Sequence, residues 1–299
     1  MIQPTVPRPT RQDSRWRRAL ILAPVLGLVV VLAIPTSAFG QQRPLLTQDP
    51  EPIGAGRVLI EGGLDGAHDI TYPASGLSGN LWQFPTLGVS VGISSIAELQ
   101  IDGGYDFLTI TSANPHAALA SLVTATGSTH DIEDTVIGTK IRLVSETDSR
   151  PAIGIRFATE LPSASPQSGL GLGTTDFFAS MLGAKTVQSI RVVANLGLGI
   201  LPDPTVGNRQ NDVLTYGLSF ARAMTQDVEV VGEINGRASV RSGTPFPGTE
   251  SRGILKLGGR YTRGSLRLDA GVYFGLTSLD PSIAFTTGFT YVFNAFTLP

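Results

Sequence analysis

The chain has no cysteine, and that excludes a disulfide framework and every cysteine-based metal site. Charge is also scarce. Asp, Glu, Lys and Arg make up 15% of the 299 residues, where soluble domains carry about 25%. Aromatic residues are 7%, and there are three histidines, His68, His116 and His130. Beyond residue 40 no apolar run reaches the roughly 20 residues that a membrane-spanning helix needs. What the chain has in quantity is glycine, 35 residues in all. A glycine-rich chain with little charge and no apolar 20-mer suits a membrane β-barrel, which crosses the bilayer on strands.

The first 40 residues read as a secretory signal. Arg8, Arg11, Arg15, Arg17 and Arg18 form a basic start, and Ala19 to Ile34 is an apolar stretch. Small residues at Ala38 and Gly40 put the cut before Gln41. Its removal leaves 17 basic and 23 acidic residues, a net charge near −6. That balance argues against a nucleic-acid partner. Residues 41–54, with Pro44, Pro50 and Pro52, are expected to form a periplasmic lead-in without a fold of its own. Residues 55–299 are expected to form the barrel.

The last strand is the clearest. Ile283, Phe285, Thr287, Phe289, Tyr291 and Phe293 share one parity, and Ser282, Ala284, Thr286, Gly288, Thr290 and Val292 share the other. Successive side chains of a strand point to opposite faces, so one face is large and apolar and the other small and mostly polar. Eleven more segments of this kind precede it, from Gly56 onward. Connections after even-numbered segments are short, and those after odd-numbered ones are mostly long. Asp65–Gly79 and Ile110–Glu133 are among the expected outer loops. Short periplasmic turns and longer outer loops are the habit of outer-membrane barrels. The fold expected is all-β: a 12-stranded antiparallel transmembrane β-barrel following a cleaved signal peptide, located in the bacterial outer membrane.

Charges near strand centres gather on the polar faces. Lys140, Arg142, Arg156, Glu160, Arg191 and Glu229 are candidates to line the lumen. So are Glu233, Arg237, Lys256, Arg260, Arg267 and Asp269. Neighbouring strands set Arg142 and Arg156 against Glu160, and Arg260 and Arg267 against Asp269. Leu108, Ile110 and Tyr273 are the few large apolar residues on polar faces. Arg222 breaks parity, but it lies near a strand end, where its stem can reach the interface. Tyr261, Tyr291 and Phe293 suit one aromatic girdle, Trp82 and Phe84 the other.

In the long loop, Asn114, Pro115 and Gly127 are the start and stop signals of a short helix. It is expected either to narrow the pore or to pack over the rim. All three histidines fall in expected loops and none on a strand, so no catalytic residue is assigned. No cofactor or metal is implied.

Several stretches resemble one known outer-membrane family, named for the meta-cleavage pathway of phenol degradation. They are Thr47-Gln-Asp-Pro-Glu-Pro-Ile-Gly-Ala-Gly-Arg57, Asp134-Thr-Val-Ile-Gly-Thr-Lys-Ile-Arg142, Arg150-Pro-Ala-Ile-Gly, Glu160-Leu-Pro, Gly173-Thr-Thr-Asp176 and Asp212-Val-Leu-Thr-Tyr-Gly217. Its members are called transporters. The resemblance implies passive permeation of small, aromatic or hydrophobic solutes, with outer-membrane lipid, the solutes and the outer-membrane assembly machinery as partners. The alternative from a different class is a non-conducting barrel with a structural or adhesive role.

Overall fold

A computed structural model describes residues 43–297 of the chain. The expected signal peptide lies outside these residues. Among the described residues are thirteen strands: β1 (Arg57–Tyr72), β2 (Leu77–Gly92), β3 (Ala97–Ala113), β4 (Ser128–Ile132), β5 (Thr135–Val144), β6 (Ala152–Leu161), β7 (Asp176–Val187), β8 (Ile190–Pro202), β9 (Gln210–Ala223), β10 (Val228–Ser239), β11 (Arg252–Arg263), β12 (Leu266–Gly275) and β13 (Ile283–Asn294). Each pairs antiparallel with its neighbours, and β1 closes the sheet by pairing with both β2 and β13. Twelve strands therefore form the barrel. The thirteenth, β4, is an addition on top of it. Below, β3 pairs with β5 from Ala97 to Asp102, and above, β3 pairs with β4 from Tyr105 to Thr109.

Closure explains how this chain lives in lipid. Every spanning N–H and C=O must find a partner within the protein, and only a closed sheet gives all strands one. The outer wall is apolar: Leu196, Leu198, Leu218, Phe220, Leu268, Phe285 and Phe289 all stand exposed. In β13, Phe285 is 39% exposed while its neighbour Thr286 is 2% exposed, which is the parity of the sequence made visible. Several outer rings lie across a glycine on the next strand. Gly62 pairs with Phe289 and Gly66 with Phe285, and a Cβ at these positions would come within 2.8 and 2.5 Å of the ring. Tyr291 stacks on Phe293 at 5.8 Å at one end of the wall, and Trp82 meets Phe285 edge-on at 5.5 Å toward the other.

Three local expectations are corrected. The first outer connection is not a long loop over Asp65–Gly79: β1 runs on to Tyr72 and β2 starts at Leu77. The polar run there stays extended because β13 pairs with it as far as His68 and β2 with the rest, through a bulge near Asp69 at φ 62°. Above the bilayer a strand has no need of apolar alternation. The helix expected over Asn114–Gly127 is only a 3-10 turn at Ala120–Leu122. Asn114 Oδ1 accepts from the His116 N–H, which closes a tight turn, and the Leu119 N–H donates to Ala74 O across the mouth. Finally, His68 and His130 lie on strands, β1 and β4, where loops were expected.

Candidate functional site

The lumen is occupied by the chain's own leader. Residues 43–53 lie against the inner wall, bonded to strands all round the barrel, and this corrects the picture of a lead-in outside the barrel. Wall side chains bond the leader's backbone. Glu233 accepts from the Leu46 N–H at 2.8 Å, the Thr47 N–H at 2.8 Å and the Thr47 hydroxyl at 2.7 Å. Asn195 bonds both backbone groups of one residue: its Oδ1 accepts from Gln48 N–H at 2.6 Å, and its Nδ2 donates to Gln48 O at 2.8 Å. Lys256 donates to Pro44 O at 2.8 Å, Arg260 to Arg43 O at 2.8 Å, and Glu98 accepts from Ile53 N at 2.7 Å.

Charged side chains fix the leader's register. Arg191 clasps Asp49, with Nη2 at 2.7 Å from Oδ1, and also reaches Glu146 at 2.9 Å. Arg142 pairs with Glu51. At the far end Arg43 donates to Thr286 and Thr86, both at 2.9 Å, and pairs with Asp65 at 3.3 Å and Asp269 at 3.6 Å. Inward glycines give the leader its room. A Cβ on Gly63 would lie 2.3 Å from Arg43, one on Gly217 2.8 Å from Thr47, and one on Gly154 3.0 Å from Pro50. Each glycine holds a lumen-facing position where a side chain would collide with the leader.

The twelve candidate residues can now be placed. Arg142, Arg191, Glu233, Lys256, Arg260 and Asp269 contact the leader. Lys140 has no exposed surface and pairs with Glu98 at 3.0 Å, beneath the leader's Ile53. Glu229 lies 3.8 Å from Arg260 and 3.7 Å from Arg267, below the leader. Arg156 and Glu160 line an inner chamber above it, and Arg237 lines the adjoining one. The pairing expected between Arg142, Arg156 and Glu160 does not form. Arg142 turns to the leader, and Arg156 meets Gln100 at 2.8 Å and Asp102 at 4.0 Å. Sequence reasoning overlooked Arg43, Asp49 and Glu51, because their partners are remote in sequence and the segment has no period. Their one signal is three charges among three prolines in a short stretch.

Above the leader are two adjoining cavities, of about 600 and 440 Å³. Leu46, Phe178 and Ile254 face both, among charges from Asp65, Asp102, Glu133, Arg237 and Arg252. Higher still is an apolar cluster of Leu77, Leu81, Leu108, Tyr273, Ala67 and Ala284, with Ile110 and Tyr72 packed on it. Tyr273 carries the Lys256 ammonium over its ring at 4.8 Å. Loops cover the mouth. Arg237 donates to Gly248 O and Glu250 O of the 240–251 segment, Thr124 N–H donates to Gln167 O, and Arg252 donates to Thr71 O.

The remaining chemistry is sparse. His68 Nδ1 bonds Asn80 at 2.7 Å, and His130 Nδ1 bonds the Tyr105 hydroxyl at 2.7 Å. Among the described residues, no group of three His, Asp or Glu side chains is placed to hold a metal.

No known sequence family's profile matches the chain, and no curated protein is similar to it in sequence. Solved structures are. An outer-membrane channel from Pseudomonas putida F1 superposes with a TM-score of 0.56 at 12% identity, over 82% of this chain and 98% of that one. The chain has the fold of an outer-membrane β-barrel. The translocator domain of the autotransporter NalP from Neisseria meningitidis is similar at TM-score 0.46 and 12% identity, over 80% and 88%. The CymD monoaromatic hydrocarbon channel is similar at 0.41 and 10%, over 81% and 89%. At such identities the likeness speaks for the barrel fold alone.

Proposed function

We propose that this barrel is a passive channel for small aromatic or hydrophobic solutes, closed at rest by its leader and outer loops. The observation that carries the reading is the inner chamber. A filled structural barrel would pack side chains across its lumen; this one keeps cavities of about 600 and 440 Å³ between the leader and the mouth. Pockets for small molecules are mostly apolar with a few placed polar groups and span roughly 300–1,000 Å³. The chamber fits that range, and the apolar cluster around Leu81, Leu108 and Tyr273 stands next to it. The resemblance of the stretches at 47–57, 134–142 and 212–217 to the phenol meta-cleavage transporter family supports the same reading. No catalytic role is assigned, and outer-membrane lipid and the assembly machinery are its expected partners.

One observation favours a second reading, a non-conducting structural barrel: the leader and the loops obstruct both ends. Uptake of a phenol-sized aromatic into vesicles with a lipopolysaccharide outer leaflet separates the two. Uptake above that of protein-free vesicles, weakened by Leu81→Arg, supports the channel. Rates equal to protein-free vesicles, with the folded barrel present, support the structural reading.

A further inference from the structure

The wall holds the leader in the manner of a peptide-binding groove. A segment packed only as filler would be gripped by its side chains. Here Asn195 bonds both the N–H and the C=O of Gln48, and Glu233 takes two consecutive backbone N–H groups, of Leu46 and Thr47. Such contacts recognise backbone groups whatever side chains stand beside them. Specificity comes from three charges: Arg43 at one end, with Asp49 and Glu51 toward the other, each meeting an opposite charge on the wall. Glycines at 63, 154 and 217 shape the seat. The leader joins β1 through Gly54 and Gly56, at φ 97° and 71°, a turn that packs on Gly92 at the strand end.

We propose that the inner wall is a site for short peptides, and that the leader is its tethered ligand. Free peptides with a basic residue followed six and eight positions later by acidic ones therefore occupy the same groove once the tethered copy is gone. The tether accounts for resting occupancy. A ligand on a short linker sees its site at an effective concentration in about the millimolar range, so a free peptide at micromolar concentration cannot displace it. The site's existence does not depend on the channel reading, because peptide binding and solute passage have separate readouts.

The test uses a refolded barrel lacking Arg43–Ile53 and a fluorescent synthetic peptide of residues 41–53, followed by anisotropy. The expected result is saturable one-to-one binding. Asn195→Ala in the wall should weaken it at least tenfold, and so should reversing the peptide's Asp49 and Glu51 to Lys. A second preparation guards against misfolding of the deletion. The full chain receives a protease site between Ile53 and Arg57 and is cut after folding, and the released leader should then exchange for labelled peptide. The proposal is overturned if folded barrels from both preparations fail to take up peptide. It is equally overturned if the Asn195→Ala barrel and the charge-reversed peptide bind as well as the originals.

Discussion

Glu233→Ala is expected to loosen the leader from the lumen. Glu233 is 2% exposed, and its carboxylate accepts from three donors of Leu46 and Thr47, at distances between 2.7 and 3.0 Å. A hydrogen bond to a charged group contributes about 1.5–3 kcal/mol net. Adding three such terms overshoots, because a leader that swings out recovers water on its own donors. A loss of about 3 kcal/mol is a moderate figure, and it raises the undocked population about 150-fold. The chain's lack of cysteine supplies the assay. Leu45 is 6% exposed against the wall, so a thiol at Leu45→Cys is shielded while the leader is seated. Its maleimide labelling rate should rise on the order of 100-fold when Glu233→Ala is added. A rate within about threefold of the parent, in a barrel that still runs as folded, would refute the claim that Glu233 holds the leader.

Other outcomes follow from the same structure. Leu218→Arg puts a charge on the lipid face at a cost of about 2–4 kcal/mol near the midplane, whereas Asn235→Arg points into the chamber; heat-modifiability on gels should show the first folding poorly and the second well, and equal yields would contradict the face assignment. Gly62→Val should clash with Phe289 and cost about 1–3 kcal/mol in denaturant unfolding, with Phe289→Ala restoring part of it; no recovery in the double variant would separate the pair. The periplasmic turn should sense pH. Burial pushes the Glu146 carboxyl up, but the Thr186 N–H and the Arg191 guanidinium outweigh it and hold it below the ordinary carboxylate range. A lowered pKa means stability present above the unfolded value and lost as pH falls through the folded one, so unfolding free energy should drop as pH falls below the ordinary carboxylate range, and Glu146→Gln should flatten that drop. An unchanged slope in the variant would remove Glu146 from the account.

The barrel wall was legible in the sequence because lipid and lumen impose opposite demands on adjacent residues. Phe285 and Thr286, or Leu218 and Ser219, differ in exactly the way a two-residue period can report. Above the bilayer that demand vanishes. The end of β1 reads as a loop because Gly66 and Ala67 offer no large side chain to the pattern and the polar residues beyond them carry no two-residue period, although backbone pairing with β2 and β13 keeps it a strand. β4 is hidden for the same reason. The Asn114–Gly127 stretch carries sound helix signals, but Asn114 spends its side chain on a tight turn and Leu119 is drawn onto the β1–β2 turn. The leader was the least legible part. Gln48 bonds a residue 147 positions away, and Thr47 one 186 positions away. Without a period of its own, such a segment is recognisable only once the wall around it is in place. The inward parity of Glu233, Arg191 and Lys256 could be read from sequence; their engagement with the leader, more than with one another, could not.

Single-channel conductance in planar bilayers tests the central claim most directly, with the intact barrel compared against one lacking Arg43–Ile53. The account expects small, infrequent steps from the intact protein and clearly larger ones from the leaderless barrel, since the leader crosses the lumen beneath an open chamber. Silence from both proteins, each verified as folded and inserted, would contradict the channel and leave a barrel whose lumen serves only to hold its own leader.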